Sequence, residues 1–152
     1  MKDEKILSAK NIKETEKIAK IFLEKILDAK NSHKNALVVG LVGDLGAGKT
    51  TFMQAVAKHL GVKDKVRSPT FVIMKKYPLK NKKHNFLFHL DAYRLKNEKE
   101  LLTLGWEEII KDKKNLVFIE WPENVSKIIP VQAEFVYVSN NQDQNRLFKF
   151  SK

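Results

Sequence analysis

No cysteine occurs among the 152 residues, which excludes disulfides, thiolate metal sites and a cysteine nucleophile. Arginine is scarce too. Of the 29 basic residues, 26 are lysine and only Arg67, Arg94 and Arg146 are arginine. A surface shaped to read phosphate backbones favours arginine for its bidentate fork. The formal charge of +11 therefore reads as a general lysine bias, and DNA is not indicated as a partner. The densest cluster, Lys75-Lys76 through Lys80, Lys82, Lys83 and His84, reads as a solvated loop between strands, with an acidic partner or RNA as the alternative. No apolar run approaches the roughly 20 residues needed to span a membrane. Met1-Lys2-Asp3-Glu4-Lys5 leads into no long apolar segment of the secretory-signal kind. What is present, 43% hydrophobic and 31% charged residues, fits a globular protein. The length predicts one domain over residues 1–152.

Glycine is also scarce, and half of it sits in one place. Of 6 glycines, Gly43, Gly46 and Gly48 punctuate Gly43-Asp44-Leu45-Gly46-Ala47-Gly48-Lys49-Thr50, the pattern G-x-x-x-x-G-K-T of a phosphate-binding P-loop. Glycines let the backbone curl so that successive N–H groups face a polyphosphate, and the positive end of the following helix adds to that attraction. Lys49 supplies a mobile charge for the β- and γ-oxygens, and the Thr50 hydroxyl completes the shell of a Mg²⁺ ion. The context agrees. Leu37-Val38-Val39-Gly40-Leu41-Val42 is apolar on both faces, as a central parallel strand requires. Thr51 to Leu60 places Phe52, Val56 and Leu60 four apart, and Gly61 stops the helix. Gly43, Gly46, Ala47, Gly48, Lys49, Thr50 and Thr51 are thus the nucleotide-binding candidates.

The remaining chain predicts an α/β fold, a P-loop NTPase-like domain with a parallel core sheet and antiparallel edge strands. Ile6-Leu7 reads as a short edge strand. Asn11 to about Lys30 reads as a helix with Ile18, Ile21, Phe22, Ile26 and Ala29 on its apolar face. Strands are expected at Phe71–Met74, Asn85–Asp91 and Leu116–Glu120, with Trp121-Pro122 terminating the last. Short helices are expected at Glu98–Leu104 and Trp106–Ile110. Glu134–Val138 and Arg146–Phe150 flank a turn-rich segment and read as an edge hairpin.

An NTPase also needs an acid at a strand end to hold Mg²⁺ or its water, and a group that senses the γ-phosphate. Asp91 and Glu120 each close an apolar strand, and strand periodicity does not rank them. Thr70, stiffened by Pro69, offers a hydroxyl in the manner of a switch segment. His89 reads as a packed core histidine rather than a base, and Trp106 and Trp121 as packing residues. Asn81-Lys82-Lys83-His84 lacks the acid that would read guanine, so adenine is favoured. With ATP as the nucleotide, the cytoplasm is the expected compartment.

Taken together, Gly43 to Phe52, Ser68-Pro69-Thr70-Phe71, His89-Leu90-Asp91-Ala92-Tyr93-Arg94-Leu95 and Ile119-Glu120-Trp121-Pro122-Glu123 resemble, in order and spacing, the TsaE (YjeE) family. These are small bacterial P-loop ATPases required for making threonylcarbamoyladenosine (t6A) in tRNA. The one departure, leucine before Asp91 where phenylalanine is commoner, is conservative. The resemblance implies that Gly46 to Thr51 cradle the phosphates of ATP and that Thr50 and Glu120 coordinate Mg²⁺. It implies that Asp91 acts in the same site, through water or by polarising the attacking water, and that Ser68 to Thr70 form the switch, with Trp121 beside it. Lys49, Thr70, Asp91 and Glu120 are then the catalytic set. It further implies docking on the TsaD and TsaB proteins, with tRNA an indirect partner, and slow turnover alone. Arg94 is read as pairing with local acids such as Glu98. A small-molecule kinase is the first alternative, weakened because three arginines hardly build a lid. A nucleotide-dependent binding module without useful hydrolysis is the second.

Overall fold

The computed structural model describes residues 5–28, 34–80 and 83–151. Its centre is one seven-stranded sheet made of β1 (Ile6–Ala9), β2 (Leu37–Val42), β3 (Met74–Pro78), β4 (Phe86–Asp91), β5 (Asn115–Glu120), β6 (Glu134–Asn140) and β7 (Arg146–Ser151), in the spatial order β1-β7-β6-β2-β5-β4-β3. β6, β2, β5 and β4 run parallel, while β3, β7 and β1 join antiparallel. The parallel core with antiparallel additions is as expected. The C-terminal hairpin is not itself the edge, because β1 pairs with β7 and takes that position.

Strand alternation divides the core in two. Leu37, Val39 and Leu41 of β2 face the layer formed by α1 (Ile12–Ile26) and α2 (Lys49–His59). Val38 faces the layer formed by α3 (Lys99–Thr103), α4 (Trp106–Lys111) and the 3₁₀ helix Pro122–Ile128. Strands buried on both sides are uniformly apolar, which is how β2 and β5 read. Phe22 of α1 is fully buried, with ring centroids 5.9 Å from Phe52, 6.4 Å from Phe118 and 4.9 Å from Phe150. Each such aromatic pair adds about 0.5–1.5 kcal/mol beyond area burial, so this cluster pins α1 and α2 to the sheet. Asn11 caps α1 by accepting from the Glu14 amide at 2.9 Å.

Several expectations are corrected. α1 ends at Ile26, and Ile21 is 51% exposed, because the apolar stripe rotates away from it. Ala29 and Lys30 lie outside the described residues. Phe71–Ile73 is a turn, not a strand: the Val72 and Ile73 amides both donate to the Pro69 carbonyl at 3.0 and 2.6 Å. Ile73 has a left-handed φ of 68°, which no strand accommodates, so pairing starts at Met74. Lys75 and Lys76 therefore belong to β3 rather than to a loop, and the Lys76 ammonium lies 3.9 Å from the Phe86 ring centroid. Lys82 lies outside the described residues. Trp121-Pro122 ends β5 as expected, but Pro122 then opens a 3₁₀ helix that periodicity did not reveal.

Candidate nucleotide site

Parallel strands β2, β4 and β5 bring their carboxyl ends to one edge of the sheet, where open α/β folds bind ligands. β2 runs into Gly43–Gly48, and α2 begins at Lys49 with Gly48 at its N-cap in a left-handed conformation, φ 114°. A Cβ at Gly48 would also stand 2.8 Å from Arg146 Cδ and 2.9 Å from Nε. The left-handed φ favours glycine there, and a methyl would oblige the flexible Arg146 side chain to shift. A Cβ at Gly43 would run into the Val138 carbonyl oxygen, so β6 presses directly on the loop.

Lys49 is 5% exposed. Its ammonium donates to the Gly43 carbonyl and lies 3.9 Å from the Trp121 ring centroid. Desolvation holds this lysine below its ordinary value of 10.5, opposed by the negative charges of Glu120, Asp91, Glu123 and Asp44. Trp121 reaches the ammonium because its backbone is left-handed, φ 59°, immediately after β5. Its ring also packs on Tyr93 at 5.1 Å between centroids. Trp106 is a packing residue as read, buried with its indole N–H donating to the Ile128 carbonyl at 3.2 Å.

The two acids that the sequence left unranked are direct neighbours. Asp91 on β4 pairs in register with Glu120 on β5. By strand alternation both share the side of Leu87, Leu116 and Phe118, the α1–α2 face of the sheet, so they point towards the start of α2. They are 5% and 3% exposed and are held differently. Asp91 Oδ2 accepts from Thr70 Oγ1 at 2.7 Å and from Ser68 Oγ at 3.3 Å, while Oδ1 accepts from the Tyr93 amide at 2.9 Å. Glu120 Oε2 lies 2.7 Å from His89 Nε2. His89 is fully buried, as a core histidine should be, yet its partner is a site acid.

These groups enclose a cavity of about 280 Å³. Gly46, Gly48, Lys49, Thr50, Thr51, Thr70, Asp91 and Glu120 all line it. Of the sequence candidates, Gly43 and Ala47 stand behind the wall: Gly43 offers its carbonyl to Lys49, and Ala47 is buried in the core under α2. Ser68, Leu45, Tyr93, Trp121 and Arg146 complete the lining. Arg146 was missed in the sequence because β7 delivers it from the far end of the chain, and nothing local marks it. The signal for His89 was available: it lies two residues before Asp91, on the same face of β4. Arg94 does not pair with Glu98 as expected. Its guanidinium stacks 4.5 Å from the Phe71 ring centroid, outside the cavity lining.

Residues 9–148 match the family described as "Threonylcarbamoyl adenosine biosynthesis protein TsaE". The chain belongs to the TsaE family. Within that family it is 36% identical over 148 residues to the Rickettsia prowazekii "tRNA threonylcarbamoyladenosine biosynthesis protein TsaE", covering 91% of this chain and 94% of the relative. It is 35% identical over 114 residues to the Bacillus subtilis protein of the same name, covering 75% of this chain and 68% of the relative. The crystal structure of Bacillus subtilis YdiB superimposes with a TM-score of 0.74 at 29% identity, covering 99% of this chain and 86% of that one. The TsaE-family match thus includes all four motifs around the cavity. Among the described residues no helix is long and apolar enough to cross a membrane.

Proposed function

We propose that this chain binds ATP with Mg²⁺ in the cavity at the start of α2 and hydrolyses it as an accessory ATPase of t6A modification, acting with a TsaD–TsaB complex in the cytoplasm. The observation that carries the reading is the convergence on one cavity of Lys49 and Thr50 with Thr70, Asp91 and Glu120. The P-loop amides and the α2 N-terminus would bind the phosphates. Lys49 would exchange its contact with the Gly43 carbonyl for the β- and γ-oxygens.

The donor set fits a hard cation: the Thr50 hydroxyl and the carboxylates of Asp91 and Glu120 all line the cavity, and Mg²⁺ characteristically takes one or two carboxylates alongside substrate phosphates. Thr50 and Glu120 would hold it, and when bound it would neutralise charge developing on the transferred phosphoryl group. Asp91 would orient the attacking water. Its hydrogen bonds from Ser68 and Thr70 connect it to the loop that would sense the γ-phosphate. Arg146, beside Gly48, would add positive charge at the phosphate loop.

Dependence on partners is supported by the rim of the cavity. Leu45, which lines the cavity, is 67% exposed, and Phe71 and Val72, next to the lining residue Thr70, are 83% and 58% exposed; exposed apolar side chains grouped at a site mark interaction surfaces. A partner seated there would touch the switch loop directly. Steady-state phosphate release, measured alone and with the TsaD–TsaB complex at one salt concentration, tests the proposal. The expected result is slow release alone and marked stimulation by the complex. Fast release that the complex leaves unchanged would overturn the accessory role, and stimulation by a small phosphoryl acceptor instead would make the protein a kinase.

A further inference from the structure

We propose that His89 is a positioning residue for Glu120, fixing which carboxylate oxygen is left to meet the cation; this rests on the Mg-ATP reading above. His89 Nε2 and Glu120 Oε2 are 2.7 Å apart, within a fully buried contact. An ionised carboxylate only accepts hydrogen bonds, so Nε2 must carry the hydrogen. Nδ1 is buried with no hydrogen-bond partner among the described residues. The Nε2–H tautomer therefore satisfies the carboxylate without stranding an N–H at Nδ1. Oε2 is committed to the imidazole, and Oε1 carries no protein hydrogen bond among the described residues.

The register gives the arrangement its meaning. His89 lies opposite Phe118, and Asp91 opposite Glu120, on adjacent parallel strands. Glu120 is thus anchored to the rigid middle of the sheet, whereas Asp91 is tied to the loop hydroxyls of Ser68 and Thr70. Hydrogen-bond partners behind a metal-binding carboxylate fix its orientation, and their loss typically lowers metal affinity by about 10–100-fold.

The test measures binding, not turnover. A non-hydrolysable ATP analogue is titrated calorimetrically in EDTA and at rising Mg²⁺, giving the Mg²⁺ concentration that half-tightens binding. His89→Met keeps comparable bulk but has no donor, and should raise that concentration about 10–100-fold with the EDTA affinity unchanged. His89→Gln, whose amide can donate to the same oxygen, should restore it. In a Glu120→Ala background, His89→Met should have no further effect. A folded His89→Met protein with wild-type Mg²⁺ dependence, or an equal effect in both backgrounds, would overturn the proposal. If Glu120→Ala itself leaves the dependence unchanged, the Mg²⁺ role of Glu120 falls and the proposal with it. Nitrogen NMR of the wild-type imidazole needs no variant: the Nε2–H tautomer is expected, and an Nδ1–H tautomer would overturn the assignment.

Discussion

Replacing Thr70 by valine should loosen the switch loop without unfolding the protein. Valine keeps the shape of threonine and deletes one hydroxyl, whose hydrogen bond to Asp91 Oδ2 is 2.7 Å long. Hydrogen bonds to charged groups contribute about 1.5–3 kcal/mol, and each 1.4 kcal/mol is tenfold in an equilibrium. Unopposed, the loss would raise the open population of the loop about 10–100-fold. Ser68 offsets part of this. Its hydroxyl already lies 3.3 Å from the same oxygen and 2.7 Å from Thr70 Oγ1, so without Thr70 it is free to turn fully to Asp91. The expected change is therefore about tenfold, the lower end of that range. The assay is hydrogen exchange at the Val72 and Ile73 amides, which donate to the Pro69 carbonyl and report local opening. Thr70→Ser should exchange as the wild type does. The urea midpoint of Thr70→Val should fall by the equivalent of the same tenfold, about 1.4 kcal/mol, because the closed loop is part of the native state, while Thr70→Ser should keep the wild-type midpoint. Unchanged exchange in Thr70→Val, or the same increase in Thr70→Ser, would refute the idea that this hydroxyl locks the loop.

Gly48→Ala should lower thermal stability and weaken nucleotide binding together. A φ of 114° strains any residue with a side chain by about 1–3 kcal/mol, and the added methyl would meet Arg146; a melting curve and an ATP titration check both effects. Lys49 predicts a pH dependence. Its folded-state value is depressed by desolvation, so just below the ordinary 10.5 the unfolded chain binds more protons, and stability should rise with pH through that window. Lys49→Met should abolish the rise, which urea midpoints measured on approaching pH 10.5 from below will show.

The parts of the site that were legible in the sequence are those in which a local pattern carries the chemistry. The P-loop declares itself because its glycines, lysine and threonine are contiguous between a strand and a helix. Asp91 and Glu120 were legible as acids closing apolar strands, but their pairing depends on the parallel register of β4 with β5, which no single segment encodes. Arg146 and the His89–Glu120 contact were not read for the same reason: each joins distant segments through the sheet. The segment Phe71–Ile73 was misread because apolar residues, two of them β-branched, look like a strand even in an exposed loop. The left-handed Ile73 and the turn onto the Pro69 carbonyl leave no periodic trace. Ile21 was misplaced because helix periodicity marks an apolar stripe without locating its edge.

The central claim is that Lys49 and its neighbours form a Mg-ATP site, and calorimetric titration of ATP with and without Mg²⁺ tests it most directly. Wild-type protein should bind ATP, bind it more tightly with Mg²⁺, and lose at least about tenfold in affinity on Lys49→Ala, since removing one charge-assisted contact exceeds 1.4 kcal/mol. A folded wild-type protein that binds no ATP, or a Lys49→Ala variant that binds it equally well, would contradict the account.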